Sequence, residues 1–200
     1  LAQWTRPPGI LLFMAFGIYI IWKSYDKNIA RFIGKIFEFS LHRFPLVLIP
    51  AGLISIFSLY QATYGDFFAY FHSGDNIHLF FPPFQIFNYS APWVGTFWLE
   101  EIIFVYLLGI LGLVQLGKQK NYTFLAVAGT FFATLIFVSH RDLMRYALPI
   151  VPFLIIGFRE VLLQKEFKYI LAFLAIPVYL FALAYISQNH MPISDWAPLL

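Results

Sequence analysis

Apolar side chains run along this chain in six long blocks separated by shorter polar or charged intervals. The blocks cover approximately Pro8–Trp22, Phe44–Tyr60, Phe97–Leu116, Tyr122–Val138, Leu143–Phe158 and Tyr169–Tyr185. A straight membrane crossing takes about 20 residues, so the pattern predicts an all-α, polytopic transmembrane helix bundle, one domain over residues 1–200. The first and fifth blocks are short and must borrow flanking residues or sit in thinner membrane. Six spans is the preferred count, with five or seven as alternatives.

Two intervals have patterns of their own. Between the first and second blocks, Ile29, Phe32, Ile33 and Ile36 follow helical spacing, while Arg31, Lys35 and Glu38 fall on the opposite face. That predicts an amphipathic helix lying in the headgroup layer. A plain anchor for a connecting loop is the simpler reading of it than a specific lipid or partner site. The interval 61–96 holds no Lys or Arg. It carries Tyr64-Gly65-Asp66, a Phe/Tyr cluster at 67–71, His72-Ser73-Gly74-Asp75 and Phe80-Phe81-Pro82-Pro83-Phe84. It is too aromatic for a solvated linker and too broken by Gly and Pro for another span. Short interfacial helices separated by turns are expected, and a loop of this length is uncommon unless functional.

Charge placement orients the bundle. Ten of the 13 Lys and Arg lie in three alternate loops: Lys23, Lys27, Arg31, Lys35 and Arg43; Lys118 and Lys120; and Arg159, Lys165 and Lys168. The positive-inside rule makes those loops cytoplasmic and puts both ends of the segment, with the 61–96 loop, on the outer or lumenal side. Bacterial plasma membrane and endoplasmic reticulum membrane fit equally. Composition agrees with the assignment: 60% of residues are apolar, 12% are charged and 21% aromatic, with mean hydropathy +0.75. A soluble domain carries about 25% charged residues. There is no cysteine, which removes disulfides, thiolate metal sites and Cys nucleophiles. The chain opens at Leu1 without an initiator Met or a signal pattern, so it is expected to be the C-terminal part of a longer polypeptide.

Candidate chemistry gathers at the outer rim. Arg6, Arg141 and Arg145 are the three basic residues that break the charge bias. Arg141 and Arg145 are four apart, sharing a helical face. Guanidinium groups placed together at a membrane surface suit a phosphate, whose oxygens they grip bidentately. The alternative is a snorkelling Arg, or an Arg–Asp pair that staples two helices. His140, Tyr146 and Asp66 neighbour these positions or the aromatic loop. Glu100 and Glu101, near the outer end of the third block, could accept hydrogen bonds from sugar hydroxyls, act as a base or pair with an outer Arg, and otherwise are interfacial. The histidines lack zinc-motif spacing, so no metal site is assigned. No phosphate-loop, dinucleotide or nucleophile-elbow motif is present.

Three stretches resemble a known family. Thr5-Arg6-Pro7-Pro8-Gly9-Ile10-Leu11-Leu12 is similar to the T-R-x-x-G element that opens a mid-chain helix in GT-C glycosyltransferases. Gly65-Asp66-Phe67-Phe68-Ala69-Tyr70, followed by Pro82-Pro83, resembles the outer-loop G-D-x-x-A of the GPI mannosyltransferase II (PIG-V-like) branch. Arg145-Tyr146-Ala147-Leu148-Pro149-Ile150-Val151-Pro152 looks like a late R-Y helix of the same proteins. The resemblance implies transfer of a sugar, mannose by analogy, from a polyprenyl- or dolichyl-phosphate donor at the outer or lumenal face. The implied partners are that lipid-linked donor and membrane lipids, with no nucleic acid. No cofactor is identified, although the chemistry leaves room for a divalent cation. The resemblance also implies that the catalytic Asp lies upstream of Leu1, so that this segment alone is inactive. Two other function classes fit the composition. One is a transporter or lipid-flippase subunit, for which internal pseudo-symmetry and mid-membrane polar residues would be expected; the other is a non-catalytic membrane scaffold.

Overall fold

A computed structural model describes residues 7–41, 44–72, 79–88, 90, 98–140 and 143–189. Among these the chain is all-helical, with one isolated antiparallel bridge between Leu79 and Val138. It forms two compact units, Leu1–Gly157 and Phe158–Leu200.

In the first unit, a 3-10 turn at Pro7–Gly9 leads into α1 (Ile10–Ser24). The chain then turns at Asp26 and Asn28 into α2 (Ile29–Leu41). Asn28 starts α2 for a local reason: its side-chain oxygen accepts the Ala30 and Arg31 N–H groups at 3.0 and 3.3 Å, which the first turn leaves without helical partners. A 3-10 turn over Phe44–Val47 feeds α3 (Leu48–Tyr64). α3 stops at Gly65, whose φ of 71° is the left-handed conformation glycine adopts at little cost. One helical turn, α4 (Ala69–His72), follows.

The centre of the unit is a hairpin of α5 (Trp98–Lys118) and α6 (Tyr122–Leu135). Its corner donates Asn121 N–H to Leu116 O and Lys120 N–H to Gly117 O, each at 3.0 Å. That is a Schellman turn, in which Lys120 takes the left-handed position (φ 58°) usually given to glycine. The block Leu143–Phe158 is broken into α7 (Leu143–Ala147), a 3-10 turn at Leu148–Ile150 and α8 (Val151–Gly157). Pro149 lacks an N–H, and its ring crowds the carbonyl one turn earlier, so an uninterrupted helix is disfavoured there. α8 packs on α5 at very close range: a Cβ on Gly157 would lie 2.9 Å from the Gly112 carbonyl oxygen. The side-chain amide of Gln119 donates to Gly157 O at 2.8 Å, holding the end of α8 beside the α5–α6 corner. The Trp22 and Tyr122 rings meet at 4.6 Å, joining the last turn of α1 to the first turn of α6. α1 and α6 therefore run antiparallel.

These contacts collect Lys23, Lys118 and Lys120 at one end of the unit. The Pro7–Gly9 turn, the start of α5, the end of α6 and the start of α7 lie at the other. The second unit holds a short helix, α9 (Arg159–Leu162), and the 25-residue α10 (Lys165–Asn189), which contains Pro177.

Among the described residues, two helical stretches, Pro45–Tyr64 and Lys165–Leu183, are long and apolar enough to cross a membrane. Two of the other apolar helices are shorter: α1 has 15 residues and α6 has 14. At about 1.5 Å per residue they rise roughly 21–23 Å, less than the ~30 Å of a hydrocarbon core. Apolar blocks and helices coincide: Tyr169–Tyr185 lies wholly within one helix and 98–116 within another, whereas Phe44–Tyr60, Tyr122–Val138 and Leu143–Phe158 contain 3-10 turns or end short of their last residues.

Candidate functional site

At the end of the first unit away from the lysines, residues 79–88 are strapped across the terminus of α6. Phe80 N–H donates to Phe137 O at 2.8 Å and Phe84 N–H to Ile136 O at 2.7 Å. The accepting carbonyls belong to the residue that caps α6 and the one after it, which have no helical donors, and the strap supplies one to each. The turn that brings Phe84 N–H into range uses a left-handed φ of 64°, which a non-glycine residue adopts at a cost of roughly 1–2 kcal/mol. Burial offsets that cost. Ile86 has no exposed surface and packs with Ile102, Tyr106, Phe132, Leu135, Val138, Leu143, Ala147 and Ile150. The Phe84 and Phe87 rings stand 5.6 and 6.1 Å from Tyr106, whose hydroxyl donates to Leu135 O at 3.4 Å. Outside this plug, Phe84, Gln85, Phe87 and Asn88 line an open depression of about 460 Å³.

The strapped Val138 leads within two residues to His140, and the chain re-enters helix at Leu143. The His140 ring meets Tyr146 edge to face, with centroids 5.4 Å apart; both are half-buried, and Arg145 beside them on α7 is exposed. Of the sequence candidates, the structure thus brings His140 and Tyr146 together, next to Arg145. Arg6 and Arg141 lie outside the described residues, so the expected convergence of the three arginines does too. Glu100 and Glu101 sit on the first turn of α5, with side chains outside the described part.

Asp66 belongs to a separate cluster. One carboxylate oxygen accepts Phe68 N–H at 2.9 Å and the other lies 2.7 Å from His72 Nδ1. The hydrogen bond from His72 holds the Asp66 carboxyl below the usual aspartate range; partial desolvation opposes this and the Phe68 N–H adds to it. Behind the pair, Phe57 packs edge-on against Phe67, Phe68 and Phe71 at 5.3–6.0 Å. This partnership was missed in the sequence. Its signal was an Asp followed by a single helical turn ending in His, which returns the imidazole over the carboxylate. The burial of Ile86 was missed as well, because Pro82 and Pro83 mark its surroundings as a loop.

Among the described residues no group of three His, Cys, Asp or Glu is placed to hold a metal ion. Comparison with known protein families, curated proteins and solved structures finds no match to this chain. A functional reading therefore rests on the chain's own residues.

Proposed function

We propose that this chain is the carrier-facing part of a membrane glycosyltransferase of the GT-C type, mannosyltransferase-like, crossing the bilayer six times with its lysine-rich end in the cytoplasm. The observation that carries the reading is positional. Arg145, with His140 and Tyr146, comes a few residues after the strapped end of α6, at the end of the first unit away from Lys23, Lys118 and Lys120. An exposed arginine on the side the charge bias avoids, on the same helical turn as the Tyr146 ring, suits a lipid-linked sugar phosphate. Aromatic faces cover sugar rings, and a guanidinium offers paired donors to phosphate oxygens. Sugar transfer would proceed by displacement at the anomeric carbon. A carboxylate activates the acceptor hydroxyl, and basic groups stabilise charge developing on the departing phosphate.

Two measurements test this. In the full-length protein supplied with a polyprenyl-phosphate sugar, Arg145→Ala should lower turnover or donor affinity at least about tenfold, the equivalent of 1.4 kcal/mol. Arg145→Lys should recover part of it, and Arg159→Ala should change little. Full activity in Arg145→Ala removes the carrier-phosphate site. Separately, the cysteine-free chain carrying Asn88→Cys or Lys118→Cys should label from opposite sides of the membrane. Labelling of both from one side defeats the six-span arrangement.

A further inference from the structure

The end of the first unit that carries Lys23, Lys118 and Lys120 has a second character. Tyr19, Trp22, Tyr25 and Tyr122 gather there: Trp22 lies 4.6 Å from Tyr122 and 6.3 Å from Tyr19, and Lys23 Nζ sits 5.8 Å from the Tyr19 ring centre. Trp and Tyr mixed with Lys at one level is the composition of a membrane–water interface. α2 starts four residues after Tyr25, at that level.

Among the described side chains, α2 is packed along one edge. Phe32 and Ile36 are half-buried, and Phe32 meets the Tyr25 ring edge-on at 6.5 Å. Ile29, Ile33 and Phe37, spaced four apart and so forming one stripe, are 74%, 60% and 68% exposed. The opposite face carries Arg31, Lys35 and Glu38. Residues 23–43 hold five Lys and Arg against two carboxylates. One of those, Asp26, is already engaged: it accepts from Lys35 Nζ at 3.0 Å and from Asn28 N–H at 3.0 Å, with Arg31 at 4.0 Å. A cationic excess remains beside an uncovered apolar stripe.

We propose that α2 docks on an anionic phospholipid leaflet, inserting Ile29, Ile33 and Phe37 among the acyl chains while Lys27 and Arg31 recruit acidic headgroups. The proposal rests on the membrane reading above but is independent of any transferase activity. The apolar stripe supplies insertion, and the cations supply selectivity, because basic side chains near an acidic leaflet are attracted within a Debye length. A zwitterionic leaflet would satisfy the stripe and leave the charge excess unmatched.

The absence of native cysteine allows a direct test on the full chain in lipid nanodiscs. An environment-sensitive dye is attached at Ile33→Cys or, in a second protein, at Ile176→Cys on α10. Quenching is compared for brominated phosphatidylglycerol and brominated phosphatidylcholine at equal amounts. The Ile33→Cys dye should be quenched by both lipids and at least about twofold more by phosphatidylglycerol. Lys27→Glu with Arg31→Glu should abolish that difference, as should high salt. Quenching at Ile176→Cys but none at Ile33→Cys overturns the docking, whereas no quenching at either removes the membrane reading itself. Equal quenching of Ile33→Cys by the two lipids overturns the headgroup assignment. A disulfide-linked Ile33→Cys dimer, in place of lipid quenching, would give the stripe to a second copy of the chain.

Discussion

The strap at residues 79–88 and the helix α10 reverse the usual relation between hydrophobicity and burial. The strap contains two prolines and irregular backbone, yet it contributes Ile86, which has no exposed surface. α10 is among the longest apolar runs in the chain, and over Lys165–Leu183 none of it is buried; Phe173 is 81% exposed and Ile176 71%. α10 is long and apolar enough to cross a membrane, and apolar side chains on such a helix need no protein neighbours where the surrounding phase is itself apolar. Burial in the strap comes from a local need: carbonyls at the end of α6 require donors, and an apolar side chain must close the gap between α5, α6 and α7. In such a chain, hydropathy reports the solvent and shape complementarity reports the core.

Substitutions can break this contrast. The largest effect is expected from Ile86→Ala, which opens a cavity in the cluster and should destabilise the fold by about 2–5 kcal/mol. Ile176→Ala removes similar apolar area from an unpacked surface and should cost far less. Equal losses for the two, measured by unfolding in detergent, would erase the distinction between strap and helix. Next is Gly157→Ala. The added Cβ would meet backbone at 2.9 Å, which cannot rotate away, so α5 and α8 must separate at a cost of about 1–3 kcal/mol. Ala175→Leu on α10, where space is open, should leave the midpoint unchanged.

Tyr106→Phe sharpens the account of the strap itself. It deletes only the donor to Leu135 O and keeps the ring that Phe84 and Phe87 pack against. At 3.4 Å the bond is long, so the loss should lie near 0.5 kcal/mol, the low end for a hydrogen bond. A loss comparable to Ile86→Ala would mean that the polar contact, rather than packing, seats the strap.

The smallest effect is electrostatic and lies at Asp66. Because its folded pKa is depressed by His72, the pair contributes stability that is present above the ordinary aspartate pKa. That stability is lost as pH falls through the depressed value. The protection factor of the Phe68 amide, its observed exchange corrected for the intrinsic rate at each pH, should therefore fall on acidification through that range, and Asp66→Asn should show the lower protection already at neutral pH. A protection factor independent of pH in the native protein would show that the turn holds without the carboxylate.

Hydrophobic periodicity and turn chemistry were enough to locate the helices. Asn28 starts α2 and Gly65 stops α3 through contacts within a few residues, so both are legible in sequence. The alternation of Lys and Arg among loops is likewise written in order alone, and in the first unit the fold places Lys23, Lys118 and Lys120 at one end. Site residues were less legible. Arg145, Tyr146 and His140 were named from an anomaly of charge and from a resemblance, but the edge-to-face contact of the two rings required the turn between α6 and α7. The Asp66–His72 pair is local and its signal went unread, whereas the Ile86 plug was invisible because its partners are chosen by tertiary geometry. A single helical turn folds the imidazole back, and Val138, more than 50 residues after Ile86, becomes its neighbour. Short-range physics determined where this chain is helical and which of its stretches are apolar enough to cross a membrane. Only the tertiary structure decided which apolar side chains would meet one another, since many residues here are hydrophobic enough to be buried and shape alone selects among them.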